Sequence, residues 1–252
     1  MERKDFLTKS DYLKVVNINF SYGNKKILDN ICFSVFKGES ISIFGPNGSG
    51  KTTLIKIILG IIKPQSGEVF YKGRNVFKMN ERERAKIFSY VPQKVNAPFP
   101  LTTFDYLIFG RAPFINGFVK KRDREIVLIW MEKFKITHLK DINFQFLSEG
   151  EKQLLTIIRT IIQGSEIIIL DEPLSHLDLK YKSKVLNLLK EINKEGKTII
   201  SIFHDVESIK FLSNRVILLK NGLIEKIGSV EDLLNQDELN SLFDETIILY
   251  KM

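Results

Sequence analysis

The chain has 252 residues, of which 44% are hydrophobic and 27% charged, with a formal net charge of +8 and a single cysteine. Those figures predict one compact domain with a smaller lobe, and they exclude an internal disulfide. The positive charge suits an anionic partner such as nucleic acid, a nucleotide or a membrane surface, without choosing among them.

The N-terminal MERKDFLTKSDYLK lacks an apolar core. Apolar stretches such as 54–62 and 167–170 fall far short of the roughly 18 residues of a membrane span, so neither a signal peptide nor a spanning segment is expected. In chain order, β-rich apolar runs at 13–20, 40–44, 87–91, 166–170, 198–203 and 216–219 alternate with helical patterns. The helices are expected at 51–59, 123–134, 149–162, 178–193 and 206–212, several opened by Ser or Asp and closed near glycine. Strands alternating with helices predict a mainly parallel sheet covered on both faces. Cys32, between Ile31 and Phe33, is expected as a small buried hydrophobe in a reducing cytoplasm. Pro92, Pro98, Pro100 and Pro113 fall in a stretch without strand pattern. Residues 93–164 are therefore read as a helical subdomain inserted into a nucleotide-binding α/β core of 1–92 and 165–252, all within one domain. The alternating charges after Lys120-Lys121-Arg122 read as a solvated helix face. Past residue 220, a hairpin at Asn221-Gly222, a helix from Val230 and a closing strand at 247–250 are assigned to packing.

The strongest chemical signal is Gly45-Pro46-Asn47-Gly48-Ser49-Gly50-Lys51-Thr52-Thr53, a phosphate-loop pattern directly after the strand ending at Phe44. Its glycines let the backbone N–H groups turn inward on phosphate oxygens, and the following helix adds its positive end. Lys51 would reach the β- and γ-phosphates of ATP, and the Thr52 hydroxyl would coordinate Mg2+, a hard ion that takes oxygen ligands. The run 167–170 ends in Asp171 and Glu172, two carboxylates that strand alternation sends in different directions. Alone they make a turn or a helix cap. Paired with a phosphate loop, Asp171 reads as a magnesium ligand and Glu172 as the general base for water. Leu147-Ser148-Glu149-Gly150-Glu151-Lys152-Gln153 opens a helix, and Ser148 with Glu151 fits a capping box.

This order of motifs resembles the ATP-binding cassette family, whose signature L-S-G-G-[QE]-x-Q lies shortly before the Asp-Glu strand, and the resemblance covers nearly the whole chain. It implies a P-loop α/β fold: a RecA-like, mainly parallel core with an antiparallel β subdomain and the inserted helical subdomain. It further implies that Tyr22 stacks on adenine, that Gln93 senses magnesium and couples to a partner, and that His204 hydrogen-bonds the γ-phosphate. Ser175 to Asp178 corresponds to a loop through which two subunits meet. In the family, the phosphate loop of one chain and Ser148 with Gly150 of the other enclose each ATP, so a homodimer with two composite sites is expected. Two positions depart from the pattern. Glu149 replaces the first signature glycine and places a carboxylate near a triphosphate, although at a helix start it gains about 0.3–1 kcal/mol from the dipole. Reduced but real ATPase activity is expected. Leu174 stands where threonine is common.

A chain without spans resembles the separate ATPase subunits of importers, peripheral at the cytoplasmic face of the cell membrane. Phe109-Gly-Arg-Ala-Pro-Phe114 and Pro173-Leu-Ser-His-Leu-Asp178 resemble the ATPases of iron-siderophore, haem and cobalamin importers. Zinc and manganese importers carry a similar segment. The implied partners are two transmembrane permease subunits and, indirectly, a substrate-binding protein. A DNA-repair or ribosome-associated cassette is the alternative. The interval from Lys51 to Ser148 leaves no room for a long coiled coil, and no second motif set follows, so nucleic acid is not the expected partner. A silent ATP-binding subunit is a further alternative, opposed by intact Lys51, Glu172 and His204.

Overall fold

The computed structural model describes residues 12–93, 100–175 and 177–243, and the strand expected at 247–250 lies outside them. The chain opens with β1 (Leu13–Tyr22), β2 (Lys25–Val35), β3 (Ser40–Phe44), α1 (Lys51–Ile58), β4 (Ser66–Tyr71) and β5 (Arg74–Asn75). It continues through α2 (Glu81–Ile87), β6 (Phe88–Val91), α3 (Thr103–Ile108), α4 (Lys121–Phe134), α5 (Glu149–Ile162) and β7 (Ile167–Asp171). It closes with α6 (Leu179–Lys194), β8 (Thr198–Ile202), α7 (Val206–Leu212), β9 (Arg215–Lys220), β10 (Leu223–Ser229), α8 (Val230–Leu233) and α9 (Gln236–Phe243). Two compact units result, one from residues through Asn80 and from Leu189 onward, the other from Glu81–Leu188.

The first unit holds an antiparallel sheet in the order β2-β1-β4-β5. Leu13 faces Val35, Val15 faces Phe33 and Ile18 faces Ile31, so one face of the β1–β2 pair is apolar and fully buried at most of these positions. Irregular pairing at Val15/Ile18 coincides with Asn17 at φ 47°, and Asn30 on the opposite strand sits at φ 49°; asparagine tolerates that left-handed backbone better than most residues. Cys32 corrects the sequence reading: it is exposed. Strand alternation sends Ile31 and Phe33 inward and the residue between them outward. There its thiol donates to Asn17 Oδ1 at 2.7 Å and accepts from the Asn17 N–H at 3.0 Å.

The same unit carries the strands β10-β9-β3-β8 side by side, with β3 parallel to both β8 and β9. All five positions of β3 and of β8 are buried, the mark of a strand covered on both faces. Ile41, Ile43, Ile199 and Ile200 are fully buried, each contributing about 1.5–3 kcal/mol relative to exposure. The hydroxyls among them answer one another, Ser42 Oγ lying 2.8 Å from Ser201 Oγ and 2.7 Å from Ser213 Oγ. The β9–β10 hairpin turns on Asn221 at φ 49° and Gly222 at φ 77°, the paired positive angles of a two-residue hairpin turn.

In the second unit β6 and β7 pair in parallel, from Phe88 opposite Ile167 to Val91 opposite Leu170. α5 packs beside them with Leu154, Leu155, Ile157, Ile158 and Ile162 buried, a helical stripe that faces the unit's core. Tyr106 of α3 stacks on Phe144 at 3.9 Å and shares a 2.7 Å hydrogen bond with Thr156 of α5. Gly110 allows the close approach of α5: a Cβ there would lie 2.5 Å from the Arg159 carbonyl oxygen.

Candidate functional site: a phosphate loop and a carboxylate strand end

The phosphate loop lies in the first unit, between the buried end of β3 and the start of α1. Its glycines are set by what touches them. A Cβ on Gly45 would fall 1.9 Å from the Leu219 carbonyl oxygen, and one on Gly50, at φ 103°, 2.7 Å from Leu28 Cδ2. Gly48 and Asn47 are exposed and Pro46 is half-buried, forming the outer rim. α1 begins without a side-chain cap at Gly50 and carries no acidic residue in its first turn, so the helix supplies no carboxylate of its own against its positive end. Thr52 and Thr53 are half-buried in that first turn. Lys51 is only 6% exposed, and its ammonium donates to the Gly45 and Pro46 carbonyls, both at 2.8 Å, which holds a buried cation across the loop. Ser49 Oγ is buried and has no hydrogen-bond partner among the described residues. A buried hydroxyl left unpaired is costly, about 1–3 kcal/mol, and a phosphate oxygen is an acceptor that would satisfy it.

Tyr22 and His204, both expected at the nucleotide, also belong to this unit. Tyr22, at the end of β1, is 52% exposed, with its ring edge-on to Phe20 at 4.8 Å. His204 is exposed directly beyond β8, and Asp205 caps α7 by accepting from the Ser208 N–H at 2.7 Å. The imidazole is thus carried on a short link between a buried strand and a capped helix.

The carboxylates belong to the second unit. Asp171 is fully buried as the last residue of β7, and Tyr90 of β6 donates to its Oδ2 at 3.2 Å. Burial, and then the charge and hydrogen bond of Asp171, push the Tyr90 phenol well above its ordinary value, so it stays a protonated donor. Glu172 sits at φ 53°, a sparsely populated backbone for a residue with a Cβ, costing about 1–3 kcal/mol. The turn is tied down by Ser175, whose hydroxyl donates to the Glu172 carbonyl at 3.2 Å, and by buried Gln153, whose amide donates to Pro173 O at 3.0 Å. The Glu172 side chain is half-buried, and its Oε2 accepts from Gln93 Nε2 at 2.5 Å. Gln93 and Glu172, separated by most of the unit in sequence, are therefore brought together. Leu174 is buried at 4% exposure in the same turn, an apolar anchor that accounts for the departure from threonine.

Ser148 caps α5 in full: its hydroxyl accepts from the Glu151 N–H at 3.3 Å, and Glu151 Oε2 accepts from the Ser148 N–H at 2.9 Å and from its hydroxyl at 2.7 Å. Glu149 pairs with Lys152 at 2.9 Å, and Gly150 is half-buried in that first turn. His176, in the loop expected to meet a second subunit, lies outside the described residues. Sequence reasoning missed Tyr90 and Lys152. The i,i+3 spacing of Glu149 and Lys152 was a signal for the second.

The ABC transporter family matches residues 28–175. The petrobactin import ATP-binding protein of Bacillus subtilis is 34% identical over 236 residues, covering 93% of this chain and 94% of the relative. The iron(3+)-hydroxamate import ATP-binding protein of the same organism is 32% identical over 234 residues, covering 92% and 87%. Among solved structures, an ABC transporter in an inward-facing conformation, provisionally assigned to the metal-chelate type, superposes with a TM-score of 0.79 at 29% identity over 93% of this chain and 89% of that one. A dimeric ATP-binding cassette in a post-hydrolysis state with ADP and Pi gives 0.79 at 27% identity over 86% and 98%. The chain belongs to the ABC transporter family. It is an ATP-binding cassette ATPase, with the P-loop α/β fold expected from its motifs.

Proposed function

We propose that the chain is the ATP-hydrolysing subunit of an ABC importer for an iron complex, a siderophore or haem, or for cobalamin. It works as a homodimer beneath two membrane-spanning permease subunits that receive cargo from a substrate-binding protein. The importer reading rests on relatives named for petrobactin and iron(3+)-hydroxamate import. Among the described residues no helix is long and apolar enough to cross a membrane, which fits a peripheral place at the cytoplasmic face. We assign coupling to the helical subdomain, residues 93–164, where Phe109 is 53% and Phe118 90% exposed.

The observation that carries the catalytic reading is the loop itself: an uncapped helix start, a buried lysine and an unpaired buried hydroxyl within the seven residues 45–51. Lys51 exchanges its two loop carbonyls for β- and γ-phosphate oxygens, and Ser49 with Gly45, Pro46, Asn47, Gly48, Gly50 and Thr53 wraps the phosphates. Tyr22 offers its exposed ring to adenine. Thr52 and Asp171 supply hard oxygen donors suited to Mg2+, which when bound draws negative charge off the β- and γ-phosphates. Glu172 takes the proton of the attacking water, Gln93 holds that carboxylate through its amide, and His204 hydrogen-bonds the γ-phosphate. Ser148 and Gly150 close on the ATP bound by the other protomer. ATP closes the dimer, hydrolysis reopens it, and the helical subdomain carries that movement to the permease.

Uptake of labelled ferric hydroxamate, haem, cobalamin, zinc and manganese by cells with and without the chain tests the cargo. Loss confined to an iron complex or cobalamin is expected; loss confined to zinc or manganese would overturn that assignment.

A further inference from the structure

We propose that Lys152 is a positioning residue for ATP-driven closure. By pairing with Glu149 it keeps the carboxylate at the start of α5 from repelling the triphosphate that this helix must approach in the partner protomer. The inference rests on the dimeric reading above. The first turn of α5 carries two carboxylates with different employment. Glu151 is consumed by the cap, accepting from the Ser148 N–H at 2.9 Å and from its hydroxyl at 2.7 Å. Glu149 has no part in the cap. Its Oε1 meets Lys152 Nζ at 2.9 Å, one turn along the same helix face. Exposure is asymmetric: the lysine side chain is 18% exposed and the glutamate 67%. The lysine stem is packed, so the cation is held in place and the carboxylate comes to it.

A surface pair of this kind adds little to folding, so stability offers no reason for it. Closure does. When a triphosphate carrying several negative charges is brought against the helix start and water is expelled, an unpaired carboxylate at N1 opposes it with a strength that grows as the surroundings dry out. Paired with Lys152, the same carboxylate is nearly neutral at that range. Glu149 thereby occupies a glycine position without abolishing the site, because a compensating charge stands three residues further on.

The test uses the full chain carrying Glu172→Gln, which on the dimeric reading should hold the ATP-bound dimer, alone and with Lys152→Met, Glu149→Gln or both. Sedimentation gives the MgATP concentration for half-dimerisation, and thermal melting follows the fold of each variant. Lys152→Met should raise that concentration about tenfold, by less at high salt, since an opposing unit charge a few ångströms away carries that order of effect. Glu149→Gln alone should leave it unchanged or lower it, and Glu149→Gln should rescue Lys152→Met. This sign asymmetry separates the proposal from a pair that only stabilises the helix, where losing either partner hurts equally and no rescue occurs. Equal weakening by both single changes, an unchanged Lys152→Met, or an unrescued double variant overturns the proposal while the dimer stands. A Glu172→Gln parent that never dimerises overturns the dimeric reading, and this inference with it.

Discussion

Alanine at Gly45 would place its Cβ 1.9 Å from the Leu219 carbonyl oxygen and 3.0 Å from the carbonyl carbon. Carbon and carbonyl oxygen rest no closer than about 3.3 Å, so the loop and β9 must part by roughly 1.4 Å. The obstacle is backbone in a paired strand, Phe44 of β3 lying opposite Leu218 of β9, and no rotamer can relieve it. Overpacking of this kind costs about 3 kcal/mol, the upper end of its usual range. In a protein of this size about 2–4 °C of melting temperature goes with each kcal/mol, giving a fall of about 6–12 °C. Gly48→Ala is the control. It has the same chemistry in the same loop at φ 79°, but nothing lies within 4 Å of the added carbon. Only backbone strain opposes it, about 1 kcal/mol or a fall of about 2–4 °C. Calorimetric melting without nucleotide isolates the steric cost, and ATPase assays should show Gly45→Ala reduced about a hundredfold by the displaced cradle. Equal melting temperatures for the two variants would refute the steric reasoning.

Tyr90→Phe should cost about 1–3 kcal/mol near neutral pH by removing a donor from buried Asp171. Because the phenol's pKa is raised above its ordinary 10.0, the folded state keeps a proton that the unfolded chain releases. Wild-type stability should therefore decline above about pH 10, and the gap to Tyr90→Phe should narrow there in urea titrations. Gln93→Ala, which frees Glu172 from its amide, should lower kcat about tenfold with little change in KM for ATP, as steady-state kinetics would show. Cys32→Ala should change the unfolding free energy from urea titration by less than about 1 kcal/mol, since the side chain is exposed; a core-sized loss would restore the buried reading. Glu149→Gly should raise ATP turnover, and a fall would show that the carboxylate assists closure.

Some elements were legible because their ends are marked. β3, α5 and α7 coincide with the expected 40–44, 149–162 and 206–212: a wholly buried strand running into the phosphate loop, and helices opened by Ser148 and Asp205. β2, β4, β5, α2 and α3 were not anticipated, for separate reasons. β2 is interrupted by Asn30 in a left-handed conformation, which breaks its alternation, and the apolar neighbours of Cys32 signal burial only until the strand is recognised and alternation turns the residue between them outward. α2, with sequence ERERAKI, buries only Ile87 and so shows no apolar period. α3 is six residues long and is held by the Thr102 cap and by packing on α5 rather than by its own propensity. The candidate site residues were legible as types at fixed spacing after a strand. Their partners were not, because Tyr90 meets Asp171 and Gln93 meets Glu172 across β6 and the strand end of β7, a register that local pattern does not carry.

On the function proposed above, the chain turns ATP over within a dimer, with Glu172 as the base. Steady-state ATPase activity of the wild-type chain beside Glu172→Gln, with gel filtration of the variant in the presence and absence of MgATP, tests it most directly. Hydrolysis by the wild type is expected, with a Glu172→Gln protein that is inactive but doubles in mass on adding MgATP. Hydrolysis undiminished in the variant, or a variant that stays monomeric at saturating MgATP, would contradict it.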